Sequence, residues 1–397
     1  MEQLAIFGGS PVRNTPIYYG RQCIEQMDID AVEKVLRSDL VTCGPKVAEA
    51  EKKICEVTGA KYAVVVSSGT GALHLAAMAA GIKKGDEVIV TPMTFAASAN
   101  CILYCGGTPV FADIKPDTYN IDPESIRAHI TEKTKAVVAV DYTGQAVELD
   151  EIREICREHG LVLIEDAAHS IGTRYKGRKV GSIADLTTFS FHPVKTVTAG
   201  EGGAVTTNDE QTYRRLLRLR SHGITREQDE MVNPSDALWY NEQVELGYNY
   251  RMTDFQAALL ISQLSRLDLF IARRKEIVKR YDEIFSQMPE LIIQKEIEDS
   301  DTARHLYVIQ LNPELLNCSR REFFDALYAE NVCPQVHYLP VYMHSYYQKL
   351  GYKQGLCPVA EKLYENIMSI PLYYGLTDED VETVIEAVKK VVEYYRK

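Results

Sequence analysis

Between residues 60 and 207 the chain alternates between two local patterns, and few folds accommodate the result. Short β-branched or apolar runs fall at residues 62–66, 87–91, 108–114, 136–140, 161–165, 186–191 and 203–207. Between the earlier ones lie stretches with helical spacing, at residues 71–80, 125–130 and 149–159. Many of the runs are apolar at consecutive positions, as strands are when both faces of their sheet are covered. Alternating β and α units of this kind predict an α/β fold, a mostly parallel central sheet wrapped by helices.

After about residue 250 the texture changes. Residues 254–286 are rich in helix formers and lack Gly and Pro, which predicts one long helix. Strand-like pieces follow at 306–311 and 332–337, and the chain closes on an amphipathic stretch at 378–396. The expected organisation is a large domain over residues 1–250, with an N-terminal arm, and a smaller C-terminal α+β domain over 251–397. The long connecting helix opens the second domain.

The 397 residues are 46% hydrophobic, enough for a sizeable core. A formal net charge of −12 argues against a nucleic-acid partner, whose phosphates demand a basic surface. A small anionic ligand needs only a few local cations. The opening MEQLAIFGGSPVRN has neither the basic nor the apolar region of a secretory leader. No apolar run approaches the roughly 20 residues that span a bilayer. Nine scattered cysteines, an odd number, predict reduced thiols with no disulfide framework and no metal site. These features together predict a cytoplasmic protein with no membrane partner.

Ligands of open α/β sheets bind beyond the carboxyl ends of the strands, and three segments put reactive residues there. Val66-Ser67-Ser68-Gly69-Thr70-Gly71 reads as a strand end, a small-residue turn and a helix start, whose free amides suit a phosphate. His74 stands where a dinucleotide fingerprint needs its third glycine, and no Gly-Lys-Ser/Thr follows, so neither common nucleotide loop is present. Taken alone, the segment is equally an ordinary capped βα turn. Glu165-Asp166 ends a second strand, with His169 three residues on. A carboxylate there suits a protonated heterocycle nitrogen, and taken alone it reads as a helix cap. In the third segment Lys195 follows Ser190-Phe191-His192-Pro193-Val194 and precedes a glycine-rich return, Gly200-Glu201-Gly202-Gly203. Partial desolvation of such a lysine frees its amine for imine chemistry; a plain loop lysine is the alternative. A phosphate cradle, an acid and a lysine, in that order at strand ends of one sheet, is the layout a pyridoxal 5′-phosphate site requires.

These segments resemble the fold-type-I (aspartate aminotransferase-like) pyridoxal-phosphate transferases, and within them the DegT-type sugar aminotransferases. The similarity extends to Phe7-Gly8-Gly9-Ser10-Pro11, Thr42-Cys43-Gly44-Pro45, Thr91-Pro92-Met93-Thr94-Phe95 and Gly247-Tyr248-Asn249-Tyr250-Arg251. Ser-Phe-His-Pro-x-Lys with Gly-Glu-Gly-Gly is its most specific part.

The resemblance implies roles position by position. Lys195 would carry the cofactor's aldehyde carbon and then shuttle the proton, and Asp166 would pair with the pyridine nitrogen. His169 would lie near the ring and its hydroxyl, with Phe95 stacked on the ring face. Gly69, Thr70, Gly71 and Ser190 would hold the phosphate. Asn249 would reach that phosphate from a partner subunit, which makes a homodimer with shared active sites a requirement. Arg251, also across the interface, would meet substrate phosphates or the donor carboxylate. His337 and Tyr338 would lie against a nucleotide-sugar. His192 would touch the substrate or pack neutrally behind the lysine loop. Glu201 would orient His192 or a sugar hydroxyl, or else shape the turn.

Tyr19-Gly20-Arg21-Gln22, Val140-Asp141-Tyr142-Thr143-Gly144-Gln145 and Val336-His337-Tyr338 resemble the transaminases of the pseudaminic acid pathway. Those enzymes pass an amino group from glutamate to C4 of a UDP-linked 4-keto-6-deoxy N-acetylamino sugar. Dehydratases on the same scaffold carry histidine at the lysine position, and a non-catalytic sensor would have lost Lys195 or Asp166. The stretch from Thr225 to Glu242 reads as an insertion at the pocket rim and has no assigned role.

Overall fold

The computed structural model describes residues 3–397; Met1 and Glu2, the start of the expected arm, lie outside the described residues. Seven strands form the central sheet: β1 (Tyr62–Val66), β2 (Glu87–Val90), β3 (Thr108–Phe111), β4 (Thr134–Val140), β5 (Val162–Asp166), β6 (Leu186–Ser190) and β7 (Gly203–Thr207). Their order is β1-β7-β6-β5-β4-β2-β3. Strand β7 is antiparallel to both neighbours, and the remaining pairings are parallel. A parallel return needs a crossover of a dozen or more residues, usually a helix. The segment between β6 and β7 holds no helix, so the chain folds straight back, and Lys195 rides on that return.

Both faces of the sheet are covered. Helices α2 (Pro45–Thr58), α5 (Leu149–His159) and α7 (Asp254–Leu264) share a core with Val137, Ala139 and Leu163. Helices α3 (Gly69–Ala79), α4 (Ala97–Tyr104) and α6 (Glu210–Arg220) share the other with Val64, Val138 and Ile164. Helix α1 (Gln26–Leu36) lies against α7.

The single helix expected over 254–286 is two, α7 and α8 (Leu267–Phe285), bent by 55°. The Ser265 hydroxyl donates to the Ser262 carbonyl, a bond that competes with the helix ladder. Next to it, the Arg266 guanidinium is drawn away to Asp28 (2.5 Å) and Glu25 (2.7 Å) of the α1 start. Among the described residues no single helix is long and apolar enough to cross a membrane; the bent α7–α8 pair passes on length and composition, and it buries most of its apolar side chains inside the protein.

A second, antiparallel sheet orders as β8 (Leu291–Ile293), β9 (Tyr307–Leu311) and β10 (Ile367–Ile370). Its core includes side chains from α8 and α9 (Asp378–Tyr395) as well as Leu4 and Ile17 from the N-terminal arm. The strand expected over 332–337 shrinks to Val332–Cys333, paired in parallel with Ile17–Tyr18. Pro334 has no N–H to continue the ladder, and the residues after it turn into the wall of a cavity.

The arm is held by one buried carboxylate. Glu330 accepts from the Ala5 and Val12 amides (2.9 and 3.0 Å) and from the Lys390 ammonium of α9 (3.0 Å). Removing one member of such a pair strands the other charge in low dielectric. Glu330→Ala is expected to lower the free energy of unfolding in urea by about 3–5 kcal/mol.

Candidate active site

Strand β1 ends in a turn that crosses the amino end of β7 to reach β6. A Cβ on Gly203 would lie 2.5 Å from the Ser68 carbonyl oxygen, and one on Gly69 2.8 Å from the Ser190 Cβ. Only glycine at both positions lets three strand ends draw together this closely. Ser68 caps α3, its hydroxyl accepting the Gly71 amide at 3.0 Å. The amides of Gly69 and Thr70 belong to the first turn, where no intrahelical acceptor exists, and both residues line one cavity with Ser190.

Asp166 and Glu165 close β5 and, with the two-residue period of a strand, part to opposite faces. Glu165 is fully buried on the far side, accepting from Thr187 (2.9 Å) and packed with buried Asp141. Burial pushes both acids up, with the Glu165 charge adding to the rise at Asp141 and the Asp166 charge to the rise at Glu165. Asp166 faces the cavity, 4% exposed; Oδ2 accepts from the Ser98 hydroxyl (2.6 Å) and Oδ1 from the Ala168 amide (3.1 Å). Burial raises its pKa against the opposing pull of those two donors and the Lys195 charge.

The β6–β7 return is pinched at its neck, Phe191 donating to Gly202 (2.9 Å) and Ala199 to Phe191 (3.0 Å). Lys195 projects from it into the enclosed site, where desolvation lowers its pKa to about 8 although Asp166 opposes the shift. The neutral amine is therefore accessible near neutral pH. The rate at which apo-protein takes up pyridoxal phosphate is expected to climb about tenfold per pH unit below pH 8 and level off above it. An unshifted lysine would keep climbing toward 10.5; stopped-flow absorbance separates the two.

The cavity has a volume of about 660 Å³, within the range of small-molecule sites. It brings together Gly69, Thr70, Phe95, Asp166, His169, Ser190, His192, Lys195, His337 and Tyr338. Gly71, Asn249 and Arg251 are not among its lining residues. Gly71 is the third residue of α3, while Asn249 pairs with Ser221 just past the end of α6 and Arg251 with Val66 at the end of β1. Phe95 stands at the mouth, 64% exposed, its ring 6.4 Å from that of Tyr338.

Histidines form one wall. His169 Nε2 lies 3.2 Å from the Tyr338 hydroxyl, and His337 Nδ1 2.8 Å from the Ser369 hydroxyl. Burial holds His169 well below the usual imidazole range and pushes His337 down to about 3, so both are neutral. His305, Ser98 and Tyr19 also line the cavity, and sequence reasoning named none of them as site residues. His305 packs on His169 with ring centroids 4.5 Å apart. Among the described residues neither Nδ1 atom has a hydrogen-bond partner, and both are buried. His192 is exposed, 4.0 Å from Glu201, too far for a hydrogen bond. The Glu201 carbonyl instead accepts from Gln256 (2.9 Å), which fits the turn-shaping reading.

A half-desolvated amine, an acid held toward the same space and a small-residue anion cradle fit pyridoxal phosphate. A second cavity, about 450 Å³, opens at the start of β5 among Asp150, Arg153, Arg157 and Asp185, and shares no residue with the first.

The DegT/DnrJ/EryC1/StrS aminotransferase family model matches residues 22–389. The spore coat polysaccharide biosynthesis protein SpsC of Bacillus subtilis is 44% identical over 382 residues, 96% of this chain and 98% of that one. The UDP-4-amino-4,6-dideoxy-N-acetyl-beta-L-altrosamine transaminase of Campylobacter jejuni is 40% identical over 384 residues, covering 96% and 99%. The solved structure of Helicobacter pylori PseC, an aminotransferase involved in pseudaminic acid biosynthesis, superposes with a TM-score of 0.89 at 32% identity, over 96% and 100% of the chains. Solved relatives are known in pyridoxal-phosphate and pyridoxamine-phosphate forms. The chain belongs to the DegT/DnrJ/EryC1/StrS aminotransferase family and is a pyridoxal-phosphate-dependent sugar aminotransferase.

Proposed function

We propose that this enzyme transfers the amino group of glutamate to the C4 carbonyl of a UDP-linked 4-keto-6-deoxy N-acetylamino sugar, on the route to pseudaminic acid. The observation that carries the reading is one cavity lined by Lys195, Asp166 and the His337–Tyr338 wall, in a chain 40% identical to a transaminase of such a sugar. The 44% identity to a spore coat polysaccharide protein favours a second reading, another keto-sugar, and the same experiment separates the two.

Bound pyridoxal phosphate supplies an aldehyde that carries the amino group and a ring that withdraws electrons when its nitrogen is protonated. Asp166 holds the proton at that nitrogen. The amides of Gly69 and Thr70 and the Ser190 hydroxyl would take the phosphate, with Gly71 leaving the helix start free of a side chain and Phe95 available to cover the ring. Lys195 Nζ removes the proton from the glutamate α-carbon and later returns one at sugar C4, which its depressed basicity permits. Neutral His169, orienting with Tyr338, adds no competing charge. His337, His192 and Tyr338 bind the sugar. The exchange balances without an oxidant: glutamate leaves as 2-oxoglutarate, and the sugar carbonyl oxygen leaves in water.

Asn249 and Arg251, outside their own cavity, serve a second copy's site, so the working unit is a homodimer. Nine free thiols support a reducing compartment, the cytoplasm. Supplying glutamate with UDP- and dTDP-linked 4-keto and 3-keto sugars, and assigning products by NMR, should give amination at C4 of the UDP sugar. Turnover confined to 3-keto sugars would overturn the assignment.

A further inference from the structure

Behind Asp166 lies a chain of hydroxyls. Ser98 Oγ donates to Asp166 Oδ2 at 2.6 Å, and Thr94 Oγ1 lies 2.7 Å from Ser98 Oγ. Thr94, Ser98 and Asp166 are 3%, 1% and 4% exposed, so water does not compete for these bonds. We propose that Thr94 and Ser98 form a one-way hydroxyl relay that keeps Asp166 ionised and aimed at the cofactor ring, which makes Ser98 a positioning residue. The inference rests on the role given to Asp166 under the proposed function.

The direction of the relay follows from donors and acceptors. If Asp166 were protonated and donated to Ser98, the Ser98 hydrogen would turn to the Phe95 carbonyl at 3.3 Å and give up the 2.6 Å bond to the carboxylate. The short, charge-assisted bond is the stronger of the two. With Thr94 donating to Ser98 and Ser98 to the carboxylate, every hydrogen is placed and Asp166 remains an acceptor. Burial opposes ionisation here, and the Ser98 bond counters it. The Ala168 amide on Oδ1 fixes the other oxygen and so the plane of the carboxylate.

The test titrates purified apo-enzyme with pyridoxal phosphate labelled with ¹⁵N at the ring, reading the dissociation constant and the ring-nitrogen resonance. A hydrogen bond to a charged group is worth roughly one to two powers of ten. Ser98→Ala should weaken binding about tenfold or more and move the resonance toward the unprotonated position. It should lower kcat more than it changes KM for glutamate. Ser98→Thr should restore both signals, and Thr94→Val should show a smaller change of the same sign. Adding Thr94→Val to Ser98→Ala should have no further effect, since the relay acts only through Ser98. Asp166→Asn is the control. If it shifts the resonance while Ser98→Ala leaves both signals within twofold of wild type, the relay is overturned. If Asp166→Asn itself leaves the resonance in place, the reading of Asp166 fails and the relay falls with it.

Discussion

Lys195→Ala is expected to lower kcat/KM for glutamate and keto-sugar by at least ~10⁴-fold. Proton transfer by one positioned group contributes about 10²–10⁴-fold, and this lysine also forms the covalent link to the cofactor. The buried histidines of the cavity wall are poor replacements. Burial drives His169 and His305 well below the usual imidazole range and His337 to about 3, leaving three weakly basic nitrogens around one useful amine. Lys195→Arg should fare no better, because a guanidinium keeps the charge and cannot give up its proton. The pair of variants therefore separates loss of charge from loss of the base. Single-turnover absorbance with glutamate is the measurement. A rate within tenfold of wild type for either variant would remove Lys195 from the mechanism.

The expectations met the structure unevenly, for reasons that can be traced to particular residues. The sheet was legible because both faces are covered, so consecutive apolar residues such as Val64, Val65 and Val66 announce a strand. Asp166 was separable from Glu165 once β5 was seen to end at residue 166, since alternation alone sends them to opposite faces. The break between α7 and α8 carried only the Ser265 hydroxyl as a local cue. It depends on Arg266 reaching Asp28, over two hundred residues earlier in the chain, and no window of sequence contains that pair. His305 lies just ahead of β9, and only the docking of the smaller sheet brings it onto His169. The Thr94–Ser98 pair carried a weak cue, two hydroxyls four residues apart around a helix start, a spacing that places side chains on one face. Asn249 and Arg251 show the limit of reading one chain: their segment bridges the ends of α6 and β1, and their implied work lies in another subunit. The stretch from Thr225 to Glu242 folds as a hairpin, Ile224–Thr225 against Glu242–Gln243, tied to α6 by Arg214–Asp229 and Arg218–Glu230. It leaves Trp239 82% exposed.

Asp166→Asn should reduce kcat by about 10³-fold or more while leaving the protein as stable as before, or more so. The amide is isosteric and its oxygen can still accept from Ala168, so the turn that carries His169 keeps its anchor. What it loses is the negative charge, the one property that holds a proton on a heterocycle nitrogen. An interior charge interaction of this kind is commonly the largest single contribution to a rate. Stability moves the other way because burial disfavours the carboxylate. With its folded pKa raised above the ordinary 3.8, Asp166 binds a proton more tightly in the folded state than in the unfolded one. Its contribution is therefore most favourable at acid pH and is lost as the pH climbs from 3.8 through the raised value. The asparagine variant has no such titration, so its melting temperature should match or exceed wild type at pH 7, and the difference should narrow as the pH falls toward 4. A collapse in kcat without a fall in melting temperature marks an electrostatic role. If kcat and melting temperature fall together, Asp166 is a structural cap on the β5 turn and the site must be read without it.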